Sequence, residues 1–283
     1  MAISTFSSAR GVLRYILENP SNQGQKLYRL FLAAGWQLYK RTIGLPLVVT
    51  LDNGLLYMAD PLANNATGAI YTRLYEPEYT MFLRQHLRQG GTLIDVGAHS
   101  GLYPLLLACI LPRGVCFEPT PESFELMARN LRLNALDGFR PVRAAVAAKD
   151  GVAGFRITAR FGSANRLDSS STYCVEVVSL DSYVAANPLV EHLGLLKIDV
   201  EGGELDVLRG ARRLLLDSPT ALALIENSQP EAIEEFLEEL GWRCFAISKK
   251  GEILTSKEQK RAAYNLLACG PSHPLSRRIE DNC

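Results

Sequence analysis

The amino-acid sequence predicts an α/β fold in which a doubly wound, mainly parallel sheet lies between two layers of helices. Short apolar runs alternate with amphipathic helical runs along most of the chain, and such alternation is typical of parallel sheets covered on both faces. Of the 283 residues, 47% are hydrophobic and 21% are charged, which is enough for a sizeable core. Near the end, residues 242–248 and 262–270 are strand-like runs that we expect to close the sheet as an antiparallel pair.

The charges and cysteines narrow the class of protein. Basic and acidic residues number 30 each, so the net charge offers no case for binding nucleic acid or an anionic membrane. The six cysteines contain no Cys-x-x-Cys pair, which argues against a metal cluster or a disulfide framework. The start lacks the apolar stretch of a signal peptide, and the longest apolar run, Leu102 to Leu111, is too short for a bilayer. We therefore expect a cytoplasmic protein without an integral membrane segment, unless something anchors it.

Residues 1–45 are predicted to form a helical appendage, and residues 46–283 the main domain. Apolar residues recur in the appendage with helical spacing: Leu27, Leu30, Phe31, Ala34 and Leu38. We interpret this segment as helices docked on the core, with a helix that binds a membrane surface or a partner as the alternative. The main domain is predicted to open with a hairpin, since Asp52, Asn53 and Gly54 separate two β-rich runs.

The core elements follow in order. Five apolar runs are predicted as its strands: residues 92–97, 114–119, 139–147, 193–202 and 220–227. Runs with one apolar face are predicted as its helices: residues 76–87, 102–110, 121–134, 203–216 and 229–240. Residues 152–158 and 172–180 are predicted to be a further strand pair around the polar loop 159–171. Ligands of such folds bind beyond the carboxyl ends of the strands, where the strand order reverses.

A glycine turn with the sequence Asp-Val-Gly-Ala-His-Ser-Gly ends the first core strand, over residues 95–101. It lacks the Gly-x-Gly-x-x-Gly of dinucleotide-binding turns, whose glycines let the backbone approach a diphosphate. S-adenosylmethionine is a phosphate-free occupant that still needs close backbone approach, together with acids for its ammonium group and its ribose. Two glycines that merely allow tight packing are the alternative. The residues predicted to bind the cofactor are Asp95, Gly97, Ala98, His99, Ser100, Gly101, Glu118 and Pro119.

A second group of acids follows the fourth core strand. Asp199 and Glu201 are two residues apart and share a face if the strand continues, and carboxylates after a buried run favour an active site. Glu204 begins the next predicted helix, where the helix dipole alone favours an acid. The candidate catalytic bases are therefore Asp199, Glu201 and Glu226, and after them His99. Paired carboxylates could equally hold a divalent cation, although no specific metal motif supports one.

Four segments together resemble the FkbM family of S-adenosylmethionine-dependent methyltransferases: residues 93–108, 117–134, 179–184 and 196–211. The resemblance runs from about Leu47 to Gly270 and implies a class I methyltransferase (Rossmann-like) fold. It also implies, typically, O-methylation of sugars or other natural-product hydroxyls. Position by position, Asp95, Gly97 and Gly101 match the family's first motif, and Glu118 matches its ribose-binding acid. His99 and Ser100 stand where the family more often has Asn-Ile, and Gly203 replaces a common alanine.

Other functions stay open beside an O-methyltransferase. An NAD(P)-dependent oxidoreductase of the short-chain class would need a phosphate-binding glycine turn and a Tyr-x-x-x-Lys pair, and the sequence contains no such pair. An amino-group methyltransferase would be expected to carry Asn-Pro-Pro-Tyr where this chain has Asp-Val-Glu-Gly. A cofactor-binding scaffold without catalysis is the third alternative.

The acceptor is expected to be a small molecule or a glycan, and not a nucleic acid. We expect three segments to shape its pocket: the N-terminal helices, residues 64–78, and the loop 159–171. Arg160 and Arg166 in that loop suit a hydroxyl-rich or anionic acceptor.

Overall fold

The computed structural model describes residues 9–19, 22, 24–159, 161, 165–187 and 192–280. Arg160 and the middle of the loop predicted over residues 159–171 lie outside these ranges. The chain begins with helices, a hairpin and further helices: α1 (Ala9–Glu18), α2 (Lys26–Thr42), β1 (Leu47–Thr50), β2 (Leu56–Ala59), α3 (Asn64–Thr72) and α4 (Pro77–His86). The hairpin is confirmed, with β1 and β2 antiparallel. Most of the segment 64–78, which is expected to shape the acceptor pocket, is helical.

The main domain then alternates strands and helices. Its first half contains β3 (Thr92–Val96), α5 (Leu102–Leu107), β4 (Arg113–Phe117), α6 (Pro121–Leu133), β5 (Phe139–Val142), β6 (Ala145–Val146), β7 (Gly151–Arg156), β8 (Arg166–Leu167), β9 (Cys174–Val178) and α7 (Leu180–Ala186). Its second half contains β10 (Leu193–Ile198), α8 (Glu204–Arg209), α9 (Arg212–Leu216), β11 (Leu222–Glu226), α10 (Pro230–Glu239), β12 (Arg243–Ile247), β13 (Ile253–Leu254), α11 (Lys257–Ala262), β14 (Asn265–Cys269) and α12 (Pro274–Glu280). Every helix within the described ranges is too short or too polar to cross a lipid bilayer.

The central sheet has eight strands in the order β13-β12-β14-β11-β10-β3-β4-β5. Five neighbouring strands are parallel to one another: β11, β10, β3, β4 and the edge strand β5. Strand β14 runs antiparallel to both of its neighbours, β11 and β12. The predicted doubly wound sheet and its antiparallel closing pair are therefore confirmed. The strand order reverses between β3 and β10, so a crevice opens beyond the carboxyl ends of these two neighbours.

Two predicted elements are divided in the structure. The strand predicted over residues 139–147 breaks after Val142, because β5 ends the central sheet while β6 joins a second sheet of order β6-β9-β7-β8. Pro141 is tolerated in β5 because β5 is an edge strand. The helix predicted over residues 203–216 is two short helices, α8 and α9, whereas the N-terminal segment contains helices as predicted, α1 and α2.

The core lies on both faces of the central sheet, because neighbouring residues of a strand point to opposite faces. One face carries Ile94, Leu196 and Ile198, and the other carries Leu93 and Leu195, all of them buried. A third cluster joins the N-terminal helices, the hairpin, α3 and α5, with Trp36, Tyr57, Tyr71, Leu105 and Leu106 among its members. The N-terminal helices thus pack against the hairpin, α3 and α5.

Two asparagines of α6 hold the hairpin against the main domain. Asn130 is fully buried; its carbonyl oxygen accepts the Met58 N–H at 2.7 Å, and its amide donates to the Ser100 carbonyl at 2.9 Å. Asn134 accepts from the Leu56 N–H and donates to the Leu56 carbonyl, both at 2.7 Å. Asn130 therefore links the edge of β2 that does not pair with β1 to the glycine turn after β3.

We expect Asn130→Ala to lower the free energy of unfolding by about 2–3 kcal/mol, because two buried backbone groups lose their partner. Urea unfolding followed by circular dichroism measures this difference. Arg129→Ala, at an exposed neighbour on the same helix, is the control and should change stability by no more than about 0.5 kcal/mol. Equal stability of the two variants would show that Asn130 does not hold the hairpin.

Candidate active site

A cavity of about 780 Å³ lies beyond the carboxyl ends of β3, β4, β10 and β11. Its floor is the glycine turn after β3, and its walls come from the loops after the other three strands and from the N-terminal half of the chain. This is the position at which the reversal of strand order predicts a ligand site.

The glycine turn passes too close to its neighbours to carry side chains at two points. Gly97 has a φ of +76°, and a Cβ there would lie 1.9 Å from the carbonyl oxygen of Asp199. The N–H groups of Gly97 and Ala98 both donate to the carbonyl of Phe117, at 3.0 and 2.9 Å. Gly101 has a φ of +78°, with the Met127 side chain 3.1 Å from its Cβ position. Both positions therefore require glycine, and of the two Gly97 lines the cavity.

Glu118 closes the turn from the end of β4. It is 6% exposed and accepts the His99 N–H at 3.0 Å on one oxygen. Its other oxygen accepts the N–H and the hydroxyl of Thr120, at 2.9 and 2.6 Å. A carboxylate can accept about four hydrogen bonds, so Glu118 is held in place with acceptor capacity left for a ligand.

The residues predicted to bind a cofactor fall into two groups. Gly97, Ala98, His99, Glu118 and Pro119 line the cavity. The other three lie behind its wall: Asp95, Ser100 and Gly101. Ser100 is fully buried, and its hydroxyl lies 3.0 Å from that of Tyr57 and accepts from the Asn65 amide at 2.7 Å. Ser100 thus anchors the turn to the hairpin and α3.

A buried lysine lies at the centre of the site. Lys197 is 5% exposed, and its Nζ lies 3.1 Å from a carboxylate oxygen of Asp199 and 3.5 Å from one of Asp95. The same Nζ donates to the Gly97 carbonyl at 3.1 Å. Asp95 is 1% exposed, and among the described residues neither of its oxygens accepts a hydrogen bond. Burial raises the pKa of Asp95 to about 6, with the Lys197 charge opposing that rise.

The three acids predicted as catalytic bases come together at the cavity wall. Asp199, Glu201 and Glu226 each have a carboxylate oxygen within 4.8 Å of the others, close enough to hold a divalent cation or to share protons. The Glu201 N–H donates to Glu226 at 3.3 Å. Burial, then the neighbouring Asp199 charge, raises the pKa of Glu201 to about 7 and that of Glu226 to about 8.

The way in which Asp199 and Glu201 meet differs from the prediction. The strand does not continue past Ile198; Glu201 has a φ of +58°, and the chain turns instead. Glu204 holds this turn, because its buried carboxylate accepts the N–H groups of Val200 and Gly202, at 3.1 and 3.0 Å, and the Ser228 hydroxyl. Glu204 therefore does more than favour a helix start: it folds the loop that carries Glu201.

Backbone conformation sets this site apart from the rest of the chain. Five non-glycine residues with positive φ occur in the described ranges, and three of them, Glu76, His99 and Glu201, belong to the site or its immediate surroundings. Such conformations cost free energy and persist only where the surrounding structure imposes them, which is common at functional sites.

Sequence reasoning missed several groups beside the carboxylates. Lys197 could have been noticed as a lone charge within an otherwise apolar strand. Tyr103 lines the cavity and donates to Glu76 at 2.6 Å, and burial raises the pKa of Glu76 to about 7. Tyr264 also lines the cavity, and burial followed by the Asp199 charge raises its pKa. Tyr264 comes from a distant segment that no local motif marks, whereas Tyr103 follows the glycine turn directly and looks like an ordinary helix residue.

Each of the three segments expected to shape an acceptor pocket contributes to the cavity wall. The contributing residues are Gln37 and Lys40 from α2, Asn65, Thr67 and Tyr75 from the segment 64–78, and Asn165, Arg166 and Leu167 from the loop around β8. Lys40 lies 3.5 Å from the Thr67 hydroxyl. His99 faces the same side, with its Nδ1 3.2 Å from the Asn65 amide.

The sheet order, with a glycine turn at the point of reversal, defines a class I methyltransferase fold. The residues present fit S-adenosylmethionine: the backbone of Gly97 lines the cavity at a point without a side chain, and Glu118 retains acceptor capacity beside it. The chain belongs to the FkbM methyltransferase domain family, whose model matches residues 95–244, just over half of the chain.

Individual relatives share a low sequence identity with this chain. Methyltransferase 1 from Beauveria bassiana (strain ARSEF 2860) is 23% identical, over 42% of this chain and 57% of its own length. Methyltransferase sdnD from Sordaria araneosa is 28% identical, over 42% of this chain and 59% of its own. The matched region thus spans less than two thirds of these relatives.

Among solved structures, an FkbM methyltransferase from Methylobacillus flagellatus KT is similar, with 12% identity and a TM-score of 0.45, over 72% of this chain and 53% of that one. An rRNA methylase from Streptococcus thermophilus is similar with 11% identity and a TM-score of 0.41, over 68% of this chain and 92% of that one. The expectation that this chain does not bind nucleic acid stays a prediction.

We expect Lys197→Met to lower the free energy of unfolding by about 3–5 kcal/mol, because it leaves the carboxylate of Asp95 buried without its counter-charge. Thermal and urea unfolding measure the loss, with Lys149→Met at an exposed site as the control. Adding Asp95→Asn to Lys197→Met should restore part of the stability, since the uncompensated charge is then removed. A loss no larger than that of the control would contradict the central role of the ion pair.

Proposed function

We propose that this protein is an S-adenosylmethionine-dependent O-methyltransferase that acts on a hydroxyl of a sugar, a glycan or another natural-product-like small molecule. The observation that carries the proposal is the cluster of Asp199, Glu201 and Glu226, which faces the same cavity as the glycine turn. A hydroxyl must lose its proton to become an effective methyl acceptor, and this cluster supplies carboxylates able to take it.

The cofactor side of the proposal rests on the turn and on Glu118. S-adenosylmethionine, when bound, supplies an electrophilic methyl group on a sulfonium centre. The backbone of Gly97 and Ala98, which lines the cavity, would let it approach closely, and Glu118 would accept its ribose hydroxyls. His99 would contribute to this cradle through its fixed, positive-φ backbone. Positioning is most of the work in an in-line displacement, so a preformed turn suits this reaction.

The three carboxylates have different proposed roles. Asp199 is paired with Lys197 at 3.1 Å, which suits a fixed group that orients the acceptor. Glu201 and Glu226, with pKa values raised to about 7 and about 8, are suited to accept a proton near neutral pH. A divalent cation held by the same three oxygens would acidify the hydroxyl instead.

The acceptor side of the cavity is polar. Gln37, Lys40, Asn65 and Arg166 all line it, and such donors and acceptors match a hydroxyl-rich molecule better than an apolar one. These residues come from segments outside the core strands, where differences between related enzymes usually set the choice of substrate.

We expect Glu118→Gln to weaken S-adenosylhomocysteine binding about 10- to 100-fold, since a charge-assisted hydrogen bond contributes about 1.5–3 kcal/mol. Isothermal titration calorimetry measures the affinity. Glu122→Gln, at an exposed acid of the first turn of α6, is the control and should bind as the unmodified protein does. Unchanged affinity in Glu118→Gln would remove the ribose assignment, and binding of NADH in place of the nucleoside would favour the oxidoreductase.

We expect the rate of methyl transfer to rise with pH between about 6 and 9. The midpoint of the rise should lie between the raised pKa of Glu201, about 7, and that of Glu226, about 8. The sign follows from the role: a carboxylate below its pKa is protonated and cannot take the hydroxyl proton. The measurement is kcat/KM for methyl transfer across this range, on a panel of sugars and glycosides. A profile that stays flat over the range is incompatible with these acids as bases.

Glu226→Gln should reduce kcat about 100- to 10,000-fold, because it removes a general base while preserving shape. Glu235→Gln, an exposed acid on the following helix, should keep full activity. Full activity of a folded Glu226→Gln variant would exclude the base role for this residue. Loss of activity of the unmodified protein with a chelator and recovery with magnesium would assign the cluster to a cation.

A further inference from the structure

The outward face of α2 is apolar. Leu27, Phe31 and Leu38 are 84%, 77% and 63% exposed, and their spacing places them in one stripe along the helix. Ile43, Leu45 and Val48 continue the apolar surface beyond the helix, at 58%, 63% and 48% exposure. Large apolar side chains gathered on one exposed face mark an interaction surface, whereas single ones are ordinary.

The orientation of α2 is fixed by its other face. Ala33 and Trp36 are buried against the third hydrophobic cluster, and the Trp36 indole N–H donates to the Thr67 hydroxyl at 3.1 Å. Gln37 donates to the Tyr71 hydroxyl at 2.7 Å. The stripe therefore faces outward while the helix already has a packed and hydrogen-bonded inner face.

The surroundings of the stripe are basic. Residues 9–44 contain six lysines and arginines against the one acid Glu18, although the whole chain has no net charge. Within α2 there are four basic residues and no acid, and Lys26 and Arg41 are exposed at its two ends. Arg73 lies beside the start of α2, where it lines a shallow cleft together with Lys26 and Tyr28.

A buried arginine adds to this positive charge. Arg29 on α2 is 5% exposed, and two of its guanidinium N–H groups have no hydrogen-bond partner among the described residues. Burial, and then the nearby charge of Arg73, lowers the pKa of Arg29. No described carboxylate forms an ion pair with Lys26, Arg29 or Arg73 within 4.0 Å. Among the described residues, the basic side chains at this end of α2 therefore have no acidic side chain as an ion-pair partner.

We propose that the outward face of α2 docks onto an anionic lipid surface. The helix lies parallel to the membrane, with Leu27, Phe31 and Leu38 inserted at the boundary between headgroups and acyl chains. Lys26, Arg41 and Arg73 then meet the headgroup phosphates and carboxylates. An apolar stripe flanked by basic residues is the chemistry by which helices bind within a membrane interface.

Charge favours a lipid surface over a second copy of the chain. Two copies packed stripe against stripe about a twofold axis would bring the basic ends of α2 toward one another, and like charges there oppose association. Anionic headgroups instead neutralise the same cations. The docking surface is independent of the proposed methyl transfer, since it uses different side chains.

The test is co-sedimentation of the full chain with vesicles of phosphatidylcholine alone and of phosphatidylcholine mixed with phosphatidylserine. We expect binding at least about tenfold stronger to the anionic vesicles, weakened by added salt. The triple variant L27S, F31S and L38S should lose that binding at least about tenfold. The variant V152S and L216S, whose residues are 75% and 55% exposed elsewhere on the surface, should bind as the unmodified protein does.

Circular dichroism and melting temperature should be the same for all variants, since the substituted side chains are exposed. Lack of binding to anionic vesicles overturns the proposal, and so does binding that the triple variant retains. Light scattering that shows a dimer of the unmodified protein and a monomer of the triple variant, without vesicle binding, assigns the stripe to a second copy instead.

Discussion

The buried ion pair of Lys197 is the interaction on which the site depends. It lies between β10 and β3, the two strands at which the order of the sheet reverses, and Lys197 stands directly beside Asp95 in the register of these strands. One ammonium group contacts Asp95, Asp199 and the carbonyl of Gly97. It therefore connects the glycine turn, which is proposed to hold the cofactor, with the loop that carries the acids proposed to act on the acceptor. A buried charge is stable only when it is paired and hydrogen-bonded, so neither half can shift without cost.

The charges of this protein are separated in space, although they cancel in the sum. The acids Asp199, Glu201 and Glu226 crowd around one cavity, where burial and mutual repulsion hold protons on Glu201 and Glu226 up to near-neutral pH. The bases are concentrated on the N-terminal helices, next to exposed apolar side chains. The neutral net charge argued against an anionic membrane partner, but a partner meets a local surface and not the total charge. The helix α2 takes part in both surfaces: its outward face carries the apolar stripe, and Gln37 and Lys40 line the cavity.

Much of the fold was predictable because each strand and helix has its own local pattern. The parallel core, the hairpin at Asp52 to Gly54 and the antiparallel closing pair are all present. The errors lie where the local pattern continues and the environment changes. Residues 139–147 carry one continuous strand-like pattern, yet β5 and β6 belong to different sheets, and no periodicity records which neighbour a strand pairs with. The strand expected to reach Glu201 ends at Ile198, because Glu204 accepts the backbone N–H groups of a turn.

The sequence by itself determined the class of fold, the position of the glycine turn, and the residues worth examining at the ends of the strands. These are properties of short segments, in which composition and spacing act directly on the backbone. Only the tertiary structure decided that Asp95 and Ser100 lie behind the wall while Glu118 faces the cavity, and that Lys197 joins the two loops. It also decided that Tyr264 and Lys40 reach the same space from distant segments, and that Tyr103 lines it beside the glycine turn. The physical reason is that burial, pairing and pKa depend on which segments meet, and that is set by packing across the whole chain.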